Sequence, residues 1–151
     1  MTELEQRQAV VDEAHSWLGT KFLHQAGIKG AGVDCAHLIT EVYRACGLMP
    51  EITFPQYGPD FWRHAENPET HIVETAKKYF REIPASEAKA GDWFVLYIGR
   101  CWAHCGILVG GGFAIEAWPQ HAHVLAINTK TEKLYTTHSK RFFTAWGKDG
   151  E

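Results

Sequence analysis

The sequence predicts an α+β fold in which N-terminal helices pack on a mainly antiparallel β-sheet. Two observations carry that prediction. Segments of helical period fill the first half of the chain. After Gly91 come short β-branched or aromatic segments separated by Gly, Pro or polar turns. No internal repeat, low-complexity tract or composition break divides the 151 residues. A chain of this length buries roughly 68–70% of its unfolded surface, enough for a self-standing core, and residues 1–151 are expected to form a single domain.

The elements follow in order. Thr2-x-x-Glu5 has capping-box form, and Val10, Val11, Ala14, Trp17 and Leu18 continue at helical spacing to a stop at Gly19. Residues 20–34 carry three glycines and no sustained period, so they read as a loop. A second helix is predicted from Asp34 or Cys35 to Cys46, with Leu38, Ile39, Val42 and Tyr43 on its apolar stripe and Gly47 after it. Residues 48–66, rich in proline and aromatics, read as an ordered loop. Asn67-Pro68 has the form of an N-cap followed by proline at the first helical position, opening a helix to about Arg81. Strands are predicted at 92–98, 103–109, 113–118, 121–128 and 141–146.

Composition narrows the function. Hydrophobic residues make up 45% and charged residues 22%, ordinary globular usage, which excludes disorder and coiled coil. A formal net charge of −3 gives no bulk basic field for nucleic acid or an anionic membrane. The longest nearly apolar stretch, Cys105 to Ile115, is glycine-laden and far short of the ~20 residues of a membrane span. The N-terminus lacks a basic segment followed by an apolar one, so no secretory signal is expected. The four cysteines are then expected as thiols in a protein made in the cytoplasm.

Three residues carry candidate chemistry. Cys35 lies where a glycine-rich loop turns into a helix, a position that favours the thiolate; the alternative is a buried cysteine packing as a small hydrophobe. His104, on a predicted strand, is either a structural histidine or the general base that a thiol acyl-transfer enzyme requires. Glu116 follows across the Gly110–Gly112 turn, and a hairpin can bring it to the same face as His104, where a carboxylate would fix the imidazole tautomer. Cys101-x-x-x-Cys105 with His104 is a poor zinc pattern: strand alternation places both thiols on one face with the histidine opposite, and no second ligand pair follows. No metal or cofactor is expected. His121 and His123 suit a cleft or a surface equally. Phe54, Tyr57, Phe61 and Trp62 have no period to explain them and are candidates for a cleft wall.

Five segments together resemble the NlpC/P60 cysteine peptidases, in the form found in phage tail and cell-wall hydrolase proteins. They are Leu18–Phe22, Gly32–Ile39 (GVDCAHLI), Ala90–Val95 (AGDWFV), His104–Ile107 (HCGI) and Phe113–Ala117 (FAIEA), in the family's order and at similar spacing. The resemblance implies a papain-like fold and hydrolysis of amide bonds in peptidoglycan stem peptides, often between D-γ-glutamyl and a diamino acid. It implies Cys35 as nucleophile, His104 as base and then acid, and Glu116 as the orienting third residue, a position commonly histidine in the family. The family's tyrosine near the oxyanion is Phe22 here, which leaves His24 or another group to replace the missing hydroxyl. Ala36 and His37 stand where the family has serine and glycine, and His37 is expected in the cleft or on the surface. Asp34 and Trp102 complete the expected substrate and oxyanion surroundings. The other readings are a thiol acyltransferase or amidase acting on another acyl donor, and a non-catalytic phage tail module of the same fold. The peptidase reading is preferred because Cys35, His104 and Glu116 are all present. Delivery to the wall by a virion tail, holin-type release or a partner protein is expected.

Overall fold

The computed structural model describes residues 1–147. Helix α1 (Glu3–His15) opens with the predicted capping box: the Thr2 hydroxyl accepts the Glu5 N–H at 3.1 Å, and the Glu5 carboxylate accepts the Thr2 N–H at 3.2 Å. It ends earlier than predicted, at Ser16, whose hydroxyl bonds back to the Glu13 carbonyl. The loop that follows contains a small hairpin, β1 (Gly27–Ile28) with β2 (Gly32–Val33). Helix α2 (Cys35–Ala45) has the predicted span and buries Leu38, Ile39, Val42 and Tyr43. Each such side chain contributes about 1.5–3 kcal/mol of burial.

Between 48 and 66 lies one short helix that the sequence did not signal, α3 (Phe61–His64). Helix α4 (His71–Tyr79) starts later than Asn67-Pro68 suggests, because the Asn67 side chain closes a local turn by accepting the Glu69 N–H at 3.0 Å. It stops at Tyr79 because Arg81 begins an edge strand, β3 (Arg81–Ile83). The remaining elements are β4 (Trp93–Ile98), β5 (Cys101–Gly110), β6 (Phe113–Glu116), β7 (Leu125–Asn128), the unforeseen α5 (Lys133–Thr137) and β8 (Lys140–Thr144). Residues 119–121 form a 3-10 turn that Ala122 leaves with φ +65°, so the strand predicted over 121–128 begins only at Leu125.

The six-stranded sheet has the order β3-β8-β4-β5-β6-β7 and is antiparallel at every pairing. Alternation along β4 separates two cores. Trp93 and Val95 pack with Val10, Leu38 and Ile39 on the helix side, whereas Phe94 and Leu96 face a second cluster with Ala114, Ile127 and Phe142, flanked by Leu134 and Tyr135.

The AGDW segment ties the helices to this sheet. Buried Asp92 pairs with Arg7 of α1 at 2.9 Å, and the Arg7 guanidinium also reaches the Ala90 carbonyl and Thr144. Gly91 sits at φ +96° against Arg7, where a Cβ would come within 3.1 Å of that side chain. The β4–β5 ladder carries one irregularity that positions the site. Leu96 pairs with His104 but Tyr97 pairs with Trp102, so Ala103 is the extra residue of a bulge, and His104 comes directly after it.

Candidate active site

Cys35 is the first residue of α2, and Asp34 is its N-cap. Asp34 Oδ1 accepts the His37 N–H at 3.0 Å and lies 2.8 Å from His37 Nδ1; Oδ2 accepts the Gln25 N–H at 2.9 Å and the Tyr57 hydroxyl. Burial alone would raise this carboxyl, but the hydrogen bonds from His37 and Tyr57 outweigh it and hold Asp34 below its ordinary range. The cap fixes the helix start, where the first N–H groups have no intrahelical partner and the helix dipole favours an anion.

The Cys35 sulfur lies 3.9 Å from the carbonyl oxygen of bulge residue Ala103. Its thiol is held well below the ordinary range. The largest cause is the neighbouring Cys105 thiol, burial opposes it, and His104 lowers it further, in part through its charge. Cys105 moves the opposite way, driven up by burial and by Cys35, and is therefore the protonated member of the pair.

On the far side of His104, Nε2 lies 3.1 Å from Glu116 Oε2, and both side chains are completely buried. The contact is close but poorly aligned, so none of their ring nitrogens and carboxylate oxygens has a well-formed hydrogen bond. Burial disfavours an imidazolium here; the Glu116 charge and then Cys35 overcome it and bring His104 up to about 10. The Trp118 ring stands edge-on to the imidazole at 4.6 Å between centroids. Glu116 pairs with Gly106, one step along β5 on the same face as His104, so the two side chains meet diagonally across the ladder. A Cβ at Gly106 would lie 2.7 Å from the Phe94 ring, so that position admits no side chain. The structure thus sets Glu116 against His104, and Cys35 and His104 each shift the other's ionisation, Cys35 down and His104 up.

The other residues singled out in the sequence fall as follows. His37 folds back on Asp34, with its ring edge-on to Phe54. His24 Nε2 lies 2.7 Å from the Tyr57 carbonyl oxygen and steadies the aromatic loop. Phe22 is half-buried against the helix-side core, and its N–H donates to the Ala122 carbonyl at 2.8 Å. Trp102 packs edge-on to Tyr97, with the Arg141 guanidinium 5.2 Å over its ring. Phe54, Tyr57 and Phe61 gather round His71, with Tyr57 stacked on it at 3.9 Å. Burial depresses this imidazole to about 4, so it is neutral at pH 7. Trp62 separates from these aromatics and packs toward the second core. The bulge also corrects the expected cysteine geometry: Cys101 lies in the second core and Cys105 in the helix-side core, so the two thiols are on opposite faces. Cys105 and His121 are neighbours whose place at the site sequence reasoning did not fix: Cys105 figured only in a poor zinc pattern, and His121 suited a cleft or a surface equally. Adjacency to His104 was the available signal for Cys105, and nothing local marked His121.

The sequence model of the NlpC/P60 family matches residues 19–144. No curated protein is similar enough in sequence to match. Among solved structures, the NlpC/p60 domain of peptidoglycan hydrolase SagA is 21% identical with a TM-score of 0.61, covering 89% of this chain and 96% of its own. The peptidoglycan hydrolase RipB from Mycobacterium tuberculosis is 19% identical with a TM-score of 0.63, covering 98% of this chain and 70% of its own. NlpC1 from Trichomonas vaginalis reaches a TM-score of 0.66 at 14% identity, and this chain spans 43% of that longer protein. The chain belongs to the NlpC/P60 family and has its α+β fold.

Proposed function

We propose that this NlpC/P60 chain is a cysteine peptidase that cuts an amide bond in peptidoglycan stem peptides at the cell wall, the D-γ-glutamyl–diamino acid bond being the expected target. The peptidoglycan hydrolases among its structural neighbours support the substrate class. The family match over residues 19–144, on one continuous sheet, supports reading the chain as a single catalytic domain.

The observation that carries the reading is Cys35 at a helix start with its thiol lowered, beside a buried His104 backed by Glu116. In the proposed cycle the Cys35 thiolate attacks the amide carbonyl carbon. The oxyanion forms beside the Cys35 N–H at the start of α2, and His104 donates its proton to the leaving amine as the thioester forms. His104 then takes a proton from water, which attacks the thioester and returns Cys35 as the thiolate with His104 protonated. Glu116 holds the imidazole throughout.

Digestion of purified peptidoglycans of several stem chemistries, read by mass spectrometry, tests this with wild type and Cys35→Ala. Fragments with a newly freed diamino-acid amine are expected only with Cys35 present. Intact walls from every chemistry, with folded wild-type protein, overturn the peptidase reading.

A further inference from the structure

Glu116 has a second imidazole neighbour. His121 Nδ1 lies 3.7 Å from the same Oε2 atom that faces His104, and this ring nitrogen is buried with no hydrogen-bond partner among the described residues, although the side chain as a whole is 27% exposed. The segment that presents it is firmly held. The 3-10 turn Pro119–His121 closes with the His121 N–H donating to the Trp118 carbonyl at 3.0 Å. The next residues are stitched to the loop after α1: Phe22 N–H to Ala122 O at 2.8 Å, Val124 N–H to Thr20 O at 2.8 Å, and Gly19 N–H to Val124 O at 3.0 Å. A buried, unpaired nitrogen aimed at a buried, under-bonded carboxylate costs free energy unless the two meet at some stage of the cycle. Contacts of this kind in unliganded active sites are often long and tighten only when the reaction complex forms.

We propose that His121 is a positioning residue that extends the triad outward: its Nδ1–H donates to Glu116 and fixes the carboxylate against the imidazolium of His104. This deepens the peptidase reading and rests on it. The charged and titratable groups near this position are Glu116 and, through Glu116, His104; the strand bridge at His123 brings Lys21 to the neighbouring backbone. With His121 removed, Glu116 keeps His104 as its ionic partner, the imidazolium is less favoured, and the Cys35 thiolate forms at higher pH.

The test uses iodoacetamide alkylation of Cys35 across pH, read on the Cys35 peptide by mass spectrometry, so it needs no knowledge of the bond cleaved. His121→Phe fills the space without a donor. His121→Asn places an amide N–H close to where Nδ1 stands, and His121→Gln places it further out. Phe and Gln are expected to move the inflection up by about one pH unit and to slow alkylation about tenfold at pH 5, below both inflections, the scale of one hydrogen bond to a charged group. Asn is expected to restore the wild-type profile. On cleaved peptidoglycan the same series should change kcat with KM unmoved. If His121→Phe does not fold, Asn and Gln decide: equal profiles overturn the proposal, and rescue by Asn alone supports it. Wild-type profiles for all three variants overturn it while leaving the peptidase reading intact, whereas an ordinary thiol profile for wild-type Cys35 overturns both.

Discussion

Two buried carboxylates flank the Cys35–His104 pair, and they are treated in opposite ways. Asp34, 3% exposed, receives two backbone N–H groups and the Tyr57 hydroxyl and lies against His37 Nδ1. Glu116, fully buried, has imidazoles at 3.1 and 3.7 Å and no aligned hydrogen bond. A satisfied carboxylate has little interaction left to gain during a reaction, so Asp34 belongs to the scaffold that starts α2. An under-bonded one gains most when a cation forms beside it, as happens in the proposed cycle when neutral His104 takes the proton from water during hydrolysis of the thioester, and there the stabilisation contributes to rate rather than to ground-state binding. Glu116 is in that position next to His104.

The largest expected effect follows from this contrast. Glu116→Gln keeps the shape of the side chain and removes its charge, which supplies the strongest favourable influence on the His104 imidazolium. Peptidoglycan cleavage is expected to fall by up to about 10⁴ in kcat, the drop seen when the third member of a serine-protease triad loses its charge. The alkaline limb of the rate profile, set in wild type by a histidine near 10, should move to lower pH. Steady-state rates over a pH series check both. An unchanged rate would place Glu116 with Asp34 in the scaffold.

Asp34→Ala should show the opposite signature, a loss of stability larger than the loss of chemistry per folded molecule. It deletes an N-cap and leaves the Tyr57 hydroxyl and the His37 ring without their acceptor, costing about 3 kcal/mol by urea unfolding. The pH dependence has a definite sign. Because the folded carboxyl sits below its ordinary 3.8, its contribution is present above that value and is lost as pH falls through the lower folded one. The wild type should therefore lose this increment in acid, and Asp34→Ala should lack it at every pH.

The two sides also differ in how legible they were in the sequence. Helix α2 and its cap were readable because Asp34, the apolar stripe and Gly47 all act within a few residues of one another. The central strands were readable because glycines bound them. The ends of elements were harder where a side chain competes with the helix, as Ser16 and Asn67 do, or where an element is short and peripheral, as β3 and α5 are. The diagonal approach of Glu116 to His104 was inferable from a hairpin. The bulge at Ala103 was not, and it reverses the face of Cys101 relative to Cys105, which period-two counting had placed together. Tyr57 reaching Asp34 and His121 reaching Glu116 depend on loops whose paths are set by tertiary hydrogen bonds, to His24 in one case and to residues 19–22 in the other.

The smallest expected effect concerns Cys105, which belongs to neither carboxylate and bears on the sulfur directly. Its thiol is the largest influence lowering Cys35, ahead of His104. Cys105→Val fills the same apolar corner beside Trp93 and Ile107 at similar volume, so stability should change little. The donor is gone, however, and the Cys35 inflection in an alkylation–pH series should rise while His104 and Glu116 still hold the ion pair. Cys105→Ser retains a donor and should stay near wild type in that profile, at some cost in packing. At pH 8, where the thiolate forms in every variant, cleavage by Cys105→Val should approach wild type; near pH 6 it should fall behind. That pattern would assign Cys105 to tuning the nucleophile and leave the ion pair to His104 and Glu116. A Cys105→Val profile identical to wild type would mean that the imidazolium alone sets the thiolate, and that Cys105 is there to fill the core.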